Sequence, residues 1–229
     1  KEHEIRPHKT SYYLEKRDPE FPEKMAQVLV TYKEIEVFRQ TPEKNKNRRQ
    51  TTISYDEKPG IQAIANVATD LSPVPHKYPA WGRDYEYKRH GTVSLMAGFD
   101  LHDGHVHALV RDRHRSREFI EFLQEIDHYY PSDWKLKLVL DNHSAHVSKE
   151  TMKWLAGRPG RFEFIFTPKH ASWLNMVEIF FSKMARSFLR SLRVASKEEL
   201  IQRLYRYITE INESPVVFRW KYRLNEVLV

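Results

Sequence analysis

The chain has no cysteine among its 229 residues, which excludes a disulfide framework and any zinc site built on thiolates. Long apolar runs are missing as well. The most hydrophobic stretches, such as residues 138–140, fall far short of the roughly 18 residues that a bilayer crossing needs, and no secretion signal opens the sequence. These absences predict a soluble protein of a reducing cytoplasm. There is no internal repeat and no low-complexity tract, and the length suits one large domain or one domain with a short appendage. Charge is what the chain has in excess. With 38 basic against 31 acidic residues, a net charge of +7 and a pI near 9.4, a polyanion is a natural partner, although basicity alone identifies none. The opening segment from Lys1 through residue 24 is basic and aperiodic, and it reads as the tail of a longer protein.

Hydrophobic spacing predicts the elements. Met25, Val28, Leu29, Tyr32 and Ile35 recur at helical intervals behind Pro22, giving a helix over 22–37 followed by a polar linker. Residues 51–56 alternate, with Ile53 and Tyr55 on one face and Thr52, Ser54 and Asp56 on the other, which predicts a strand ending in Asp56. Residues 69–90 carry three prolines without a sustained period and read as a long loop. Two alternating runs around Asp103-Gly104 predict a hairpin, because that dipeptide favours a positive-φ turn. Ser116 opens a helix through Phe119, Ile120, Leu123, Ile126 and Tyr130. KLKLVLD at 135–141 reads as a central strand ending in Asp141. A short helix from Ser148 to Ala156, a strand at 162–166, a helix from Ser172 to about Leu189 and a capped helix starting at Ser196-x-x-Glu199 complete a mixed sheet with helices on its faces.

Asp56 and Asp141 occupy matching places at the C-terminal ends of hydrophobic strands, where open α/β sheets put ligand sites. An aspartate there also serves as an ordinary turn former or helix cap. Glu178 is the odder residue. Counted at about 100° per residue from Leu174, it falls at the edge of the apolar stripe, and a carboxylate drawn into that position protonates, pairs or binds a metal. Pairing with Lys183 or Arg186, or snorkelling to the rim, are the other readings. If the three carboxylates converge, they suit hard cations with oxygen ligands, and two Mg²⁺ ions about 3.5–4 Å apart could activate a water or 3′-hydroxyl and stabilise a leaving oxygen at a phosphodiester.

Other groups carry weaker signals. His102, His105, His107 and His114 cluster around the hairpin but lack the spacing of a zinc site. Arg83, Lys88, Arg89 and His90 interleave with Tyr85 and Tyr87, a composition suited to phosphate contact and stacking, or to a merely solvated loop. Lys169 and His170 are weaker candidates for DNA contact. Trp154, Trp173 and Trp220 read as packing residues.

Together, YDEKPGIQA around Asp56, DYEYKRHGT at 84–92, RHRSREFIEFL at 113–123, LVLDNHSAH around Asp141, FTPKHASWLNMVE ending at Glu178 and the late FRW at 218–220 resemble the mariner-superfamily transposases of the six-thirty insertion-sequence group. The resemblance implies an RNase H-like α/β fold and a DDE triad on Asp56, Asp141 and Glu178 that holds two Mg²⁺ ions, with Mn²⁺ as substitute. It implies Asn142, His146 and Asn175 as supports for that triad, though His146 is equally readable as a cap of the next helix. It also implies cleavage of double-stranded DNA at transposon ends and strand transfer into target DNA, in a bacterial, nucleoid-associated protein for which a homodimer is admissible. On this reading, residues 1–50 are the tail of an N-terminal DNA-binding region plus a linker helix, and 51–229 are the catalytic domain. An RNase H-like nuclease, or a domesticated protein that only binds DNA, are the alternatives.

Overall fold

The computed structural model describes residues 18–41, 45–169 and 171–218. Its first helix, α1 (Phe21–Gln40), places Pro22 where a missing N–H costs nothing and buries Met25, Val28, Tyr32 and Ile35 along one side. Five strands follow in one sheet of order β3-β2-β1-β4-β5. The central strand β1 (Gln50–Asn66) pairs antiparallel with β2 (Tyr87–Asp100) and parallel with β4 (Lys135–Leu140). Outside them, β3 (Val106–Arg111) runs antiparallel to β2, and β5 (Phe162–Phe166) runs parallel to β4. The β2–β3 connection turns at Gly104 with φ 85°, as the Asp-Gly pair predicts. A Cβ there would also meet the Val216 carbonyl carbon at 2.8 Å.

Helices cover both faces, giving three layers. On one face, α2 (Ser116–Tyr129) and α3 (Lys149–Ala156) cover Ile53, Tyr55, Met96, Leu136, Leu138 and Leu140. The other face, lined by Val93, Leu95, Ala97, Phe99 and Val139, takes α1, α4 (Val177–Met184) and α5 (Lys197–Glu213). The sheet and α2 approach so closely at Gly98 that an added Cβ would lie 2.7 Å from both Ile53 Cγ2 and Phe122 Cζ. Ser148 caps α3 by accepting the Thr151 N–H, and Ser196 caps α5 by accepting that of Glu199. Ser116 is the first helical residue of α2 instead of its cap; Glu118 accepts the preceding Arg115 N–H at 2.8 Å. Among the described residues no helix is long and apolar enough to cross a membrane.

Three expectations are corrected. β1 does not end at Asp56: the parallel ladder with β4 stops at Ser54, but β2 continues alongside β1 to Asn66. Pro59, which has no N–H, and Gly60, at φ 68°, are absorbed in a register shift between Lys58 and Ile61. In consequence Lys88, Arg89 and His90 belong to strand β2, with Lys88 and Arg89 paired to Ala65 and Ile64, and the loop proper is 67–86. The helix expected over 172–189 is three segments: a 3-10 turn (Ser172–Leu174), α4, and a π-helical stretch (Ala185–Leu189). Asn175 breaks it with extended backbone, φ −88° and ψ 109°. Trp154 packs on Phe162, but Trp173 is 40 % exposed, and Trp220 lies outside the described residues.

Candidate active site

The sheet register brings Asp56 and Asp141 together. Ser54 pairs with Val139, so two residues further along each chain Asp56 and Asp141 come level where the parallel ladder opens. Both share the parity of Val139, which faces the layer containing α4. Glu178, the second residue of α4, is carried by that layer.

A buried clamp fixes α4 against β1 beside Asp56. The Ser54 hydroxyl donates to Asn175 Oδ1 and accepts the Val177 N–H at 2.8 Å, while Asn175 Nδ2 donates to the Tyr55 carbonyl at 2.7 Å. From α1, the Tyr32 hydroxyl donates to the Leu174 carbonyl at 2.5 Å. The extended backbone of Asn175 is what lets one side chain reach two partners on β1, and it explains why a continuous helical count misplaces Glu178. Glu178 is solvent-exposed instead of lying at a buried stripe edge, and among the described residues it makes no ion pair, with Lys183, Arg186 or any other. Truncating Asn175 to alanine strands the Ser54 hydroxyl and the Tyr55 carbonyl, and an unpaired buried group costs about 1–3 kcal/mol. We expect Asn175→Ala to lower stability by ~2 kcal/mol in denaturant unfolding and to weaken divalent-cation binding with it; unchanged values for both would remove the clamp from the account.

The electrostatics of the site centre on Asp56. Burial pushes its carboxyl up to about 7, and the negative charges of Glu57, Asp141 and Glu178 add to the effect, against the Glu57 N–H that it accepts at 2.7 Å. Asp56 therefore feels the charge of each of the other two predicted carboxylates. No lysine or arginine among the described residues pairs with any of them.

Asp141 is held by its own loop. Its carboxylate accepts the His143 N–H at 2.9 Å, and its carbonyl lies 3.0 Å from His146 Nδ1. Asn142 Nδ2 donates to the Thr167 carbonyl at 2.6 Å, tying the end of β4 to the end of β5. His146 is wholly buried and does not cap α3; its Nε2 lies 3.1 Å from Glu57 Oε1, which also accepts the Tyr55 hydroxyl at 2.9 Å. Burial favours the uncharged form of each partner, but their hydrogen bond and mutual attraction outweigh it, holding Glu57 below and His146 above the ordinary value. Sequence reasoning missed Glu57 and Ser54. Glu57 has the parity of Ile53 and Tyr55, the apolar face of β1, and a carboxylate at that parity signals a buried partner.

The basic candidates do not converge. Arg83 forks onto Asp70, with contacts of 2.7–3.1 Å, inside the 67–86 loop. Lys88 and Arg89 are exposed on the β1–β2 ribbon, Arg89 lying over the Tyr87 ring at 5.4 Å, and His90 beside them is half-buried. Lys169 is exposed, with its backbone N–H bonded to Asp18, and His170 lies outside the described residues. A basic cleft of ~470 Å³ that composition did not single out opens beside the Asp141 loop, lined by Arg113, His114, Arg115, Ser116 and His143.

The DDE superfamily endonuclease family matches residues 70–201, a span that includes Asp141 and Glu178 and begins after Asp56. An insertion element IS630 uncharacterized 39 kDa protein from Shigella sonnei is 26% identical over 97 residues, covering 42% of this chain and 28% of that protein. Among solved structures, the mariner Mos1 paired end complex with Mg has a TM-score of 0.59 at 13% identity, over 91% of this chain and 61% of that one. The catalytic domain of Mos1 mariner transposase has a TM-score of 0.52 at 13% identity, over 87% of this chain and 85% of that one. At such identities the likeness establishes the fold, a mixed sheet of RNase H-like order, and the chain spans only part of the curated relative and of the longer Mos1 chains. With the family matched over more than half of its length, the chain belongs to the DDE superfamily of endonucleases.

Proposed function

We propose that the chain is the catalytic core of a transposase, cutting double-stranded DNA at transposon ends and joining the freed 3′ end to target DNA. What supports this reading is the sheet register, which sets Asp56 and Asp141 level where the β1–β4 ladder opens, with Glu178 on the helix layer of that same face and no lysine or arginine among the described residues paired with any of the three. Repelling carboxylates with oxygen donors fit a divalent cation, and Asp56, Asp141 and Glu178 would hold it. Two Mg²⁺ or Mn²⁺ ions would supply activation of the attacking oxygen and neutralise the leaving one. The chain's own contribution is placement. The Asp141 loop is fixed by His143, His146 and Asn142, and the Ser54–Asn175 clamp holds Glu178 beside the sheet.

Substrate contact falls to the exposed basic groups around this edge. Arg113 and Arg115 in the cleft, with Lys88, Arg89 and Lys169, supply charge for the phosphate backbone, and His90 and His170 lie beside them in sequence. Arg83 contributes less, its guanidinium being committed to Asp70. Mos1 structures with a left transposon end and in a strand transfer complex support the same substrate class. The division at residue 50 between a DNA-end-binding region and the catalytic domain belongs to this reading, with α1 packed into the catalytic core. In assay, the purified chain is expected to nick duplex DNA with Mg²⁺ or Mn²⁺ and to stop when EDTA is added. Cutting confined to RNA–DNA hybrids, with no joining by the longer protein, would identify an RNase H-like nuclease instead.

Self-association is part of the proposal. The 67–86 loop exposes Val67, Leu71, Tyr78, Trp81 and Tyr85, the last at 89 %, an apolar group that a monomer has no use for. Sedimentation is expected to show a homodimer on DNA ends that Trp81→Ser with Tyr85→Ser converts to monomers. Equal sedimentation of the two proteins would assign the loop another role.

A further inference from the structure

We infer that Glu57, His143 and His146 form a second metal site, distinct from the three carboxylates, for one transition ion of the Zn²⁺ class. One ligand atom from each residue lies within 4.8 Å of the others. Their arrangement calls for a positive charge between His146 and Glu57, which a proton meets in the hydrogen-bonded pair and a metal ion could meet instead. His146 Nδ1 is 3.0 Å from the Asp141 carbonyl, which can only accept, so Nδ1 carries the hydrogen. Nε2 then turns its lone pair toward Glu57 Oε1 at 3.1 Å, an oxygen that also only accepts and already takes the Tyr55 hydroxyl. Two acceptors at that distance need a positive charge between them, either a proton or a metal ion.

His143 favours the metal. Its Nδ1 is buried without a hydrogen-bond partner, and one of its ring nitrogens lies near the other two ligand atoms, a third donor where a proton would need only two. The spacing fits as well: two ligands each roughly 2.0–2.2 Å from a tetrahedral ion lie about 3.3–3.5 Å apart, and a slight opening of the 3.1 Å contact admits the ion. Two imidazoles and one carboxylate suit Zn²⁺ or Co²⁺ over Mg²⁺, which prefers oxygen alone. A metal-bound histidine typically gives its other N–H to a carbonyl, as His146 does to Asp141. The lining of the basic cleft includes His143, so a fourth position is open to water or phosphate from that side. An ion here would join the β1 neighbour of Asp56 to the loop that carries Asp141, bracing both.

The proposal does not depend on the catalytic reading, and one titration separates them. Chelator-treated chain is titrated with Co²⁺ in excess Mg²⁺, which occupies the carboxylate site. One equivalent of Co²⁺ giving a visible absorption band, displaced by Zn²⁺, is expected. His143→Ala and Glu57→Gln, each checked for folding by circular dichroism, should weaken Co²⁺ binding by at least the ~10–100-fold typical of disturbed metal surroundings. Glu178→Gln should keep the band while losing DNA cleavage. Absence of the band, its survival in whichever of the two ligand variants folds, or its loss in Glu178→Gln would each overturn the assignment.

Discussion

Alanine in place of Asp56, Asp141 or Glu178 is expected to reduce Mg²⁺-dependent cleavage of duplex DNA by at least ~10³-fold, with the fold preserved. Loss of a single transition-state hydrogen-bond donor costs about 10²–10³-fold. A proposed metal ligand should cost more, because its loss changes the charge and the position of an ion that every reacting oxygen would share. The fold should survive, since none of the three side chains belongs to either buried hydrophobic cluster. Asp141 is the cleanest test: its carboxylate is 45 % exposed, so truncation leaves no cavity. Circular dichroism and a cleavage time course on all three variants make the measurement. Wild-type rates from any folded member of the set would remove that residue from the proposed triad.

Asp56→Asn gives the second large effect, and its sign depends on pH and metal. A carboxyl whose folded value is about 7, against an ordinary 3.8, favours the folded state fully only below 3.8. That contribution is lost as pH rises toward 7, because the folded protein must then carry a buried charge. Asparagine carries no such charge. At ~1.4 kcal/mol per pH unit of difference, the metal-free variant should gain ~2 kcal/mol on the wild type between pH 5 and pH 8. His102 and His107, both lowered to about 3 by burial, titrate in both proteins and cancel from the comparison. Saturating Mg²⁺ should reverse the order at pH 8, since only the wild type retains the full ligand set. Urea unfolding at both pH values, with and without Mg²⁺, reads all of this. A stability gap that ignores pH would mean Asp56 is not desolvated as described.

Legibility followed burial. β4 and β5 were readable because large apolar residues dominate two short segments, KLKLVL and FEFIF, and the β2–β3 hairpin because Asp103-Gly104 marks its turn. Ile53 and Tyr55 assigned the faces of β1 correctly, and through them the parity of Asp56. The end of β1 was not readable. Beyond Lys58 the β1–β2 ribbon is mostly exposed, so alternation fades, and Pro59-Gly60 resembles a turn when it is a bulge that the β2 partner tolerates. The stripe-edge placement of Glu178 failed by a different route: a helical count assumes unbroken helix, and the break at Asn175 goes with tertiary bonds to Ser54 and Tyr55 that no local pattern encodes. Glu57 was hidden beside a more conspicuous aspartate, although its place on an apolar face was already a sign that it needed a partner.

The length of β1 has a mechanical consequence. A single 17-residue strand starts beneath the core, passes Asp56 and runs out to the base of the 67–86 loop. Load applied at that distal end, by a bound duplex or an adjoining subunit, travels to Asp56 through covalent backbone and a ladder of interstrand bonds. The register shift at Lys58–Ile61 lies between that end and Asp56, so anything docked on the distal ribbon would act on Asp56 only through a bulge.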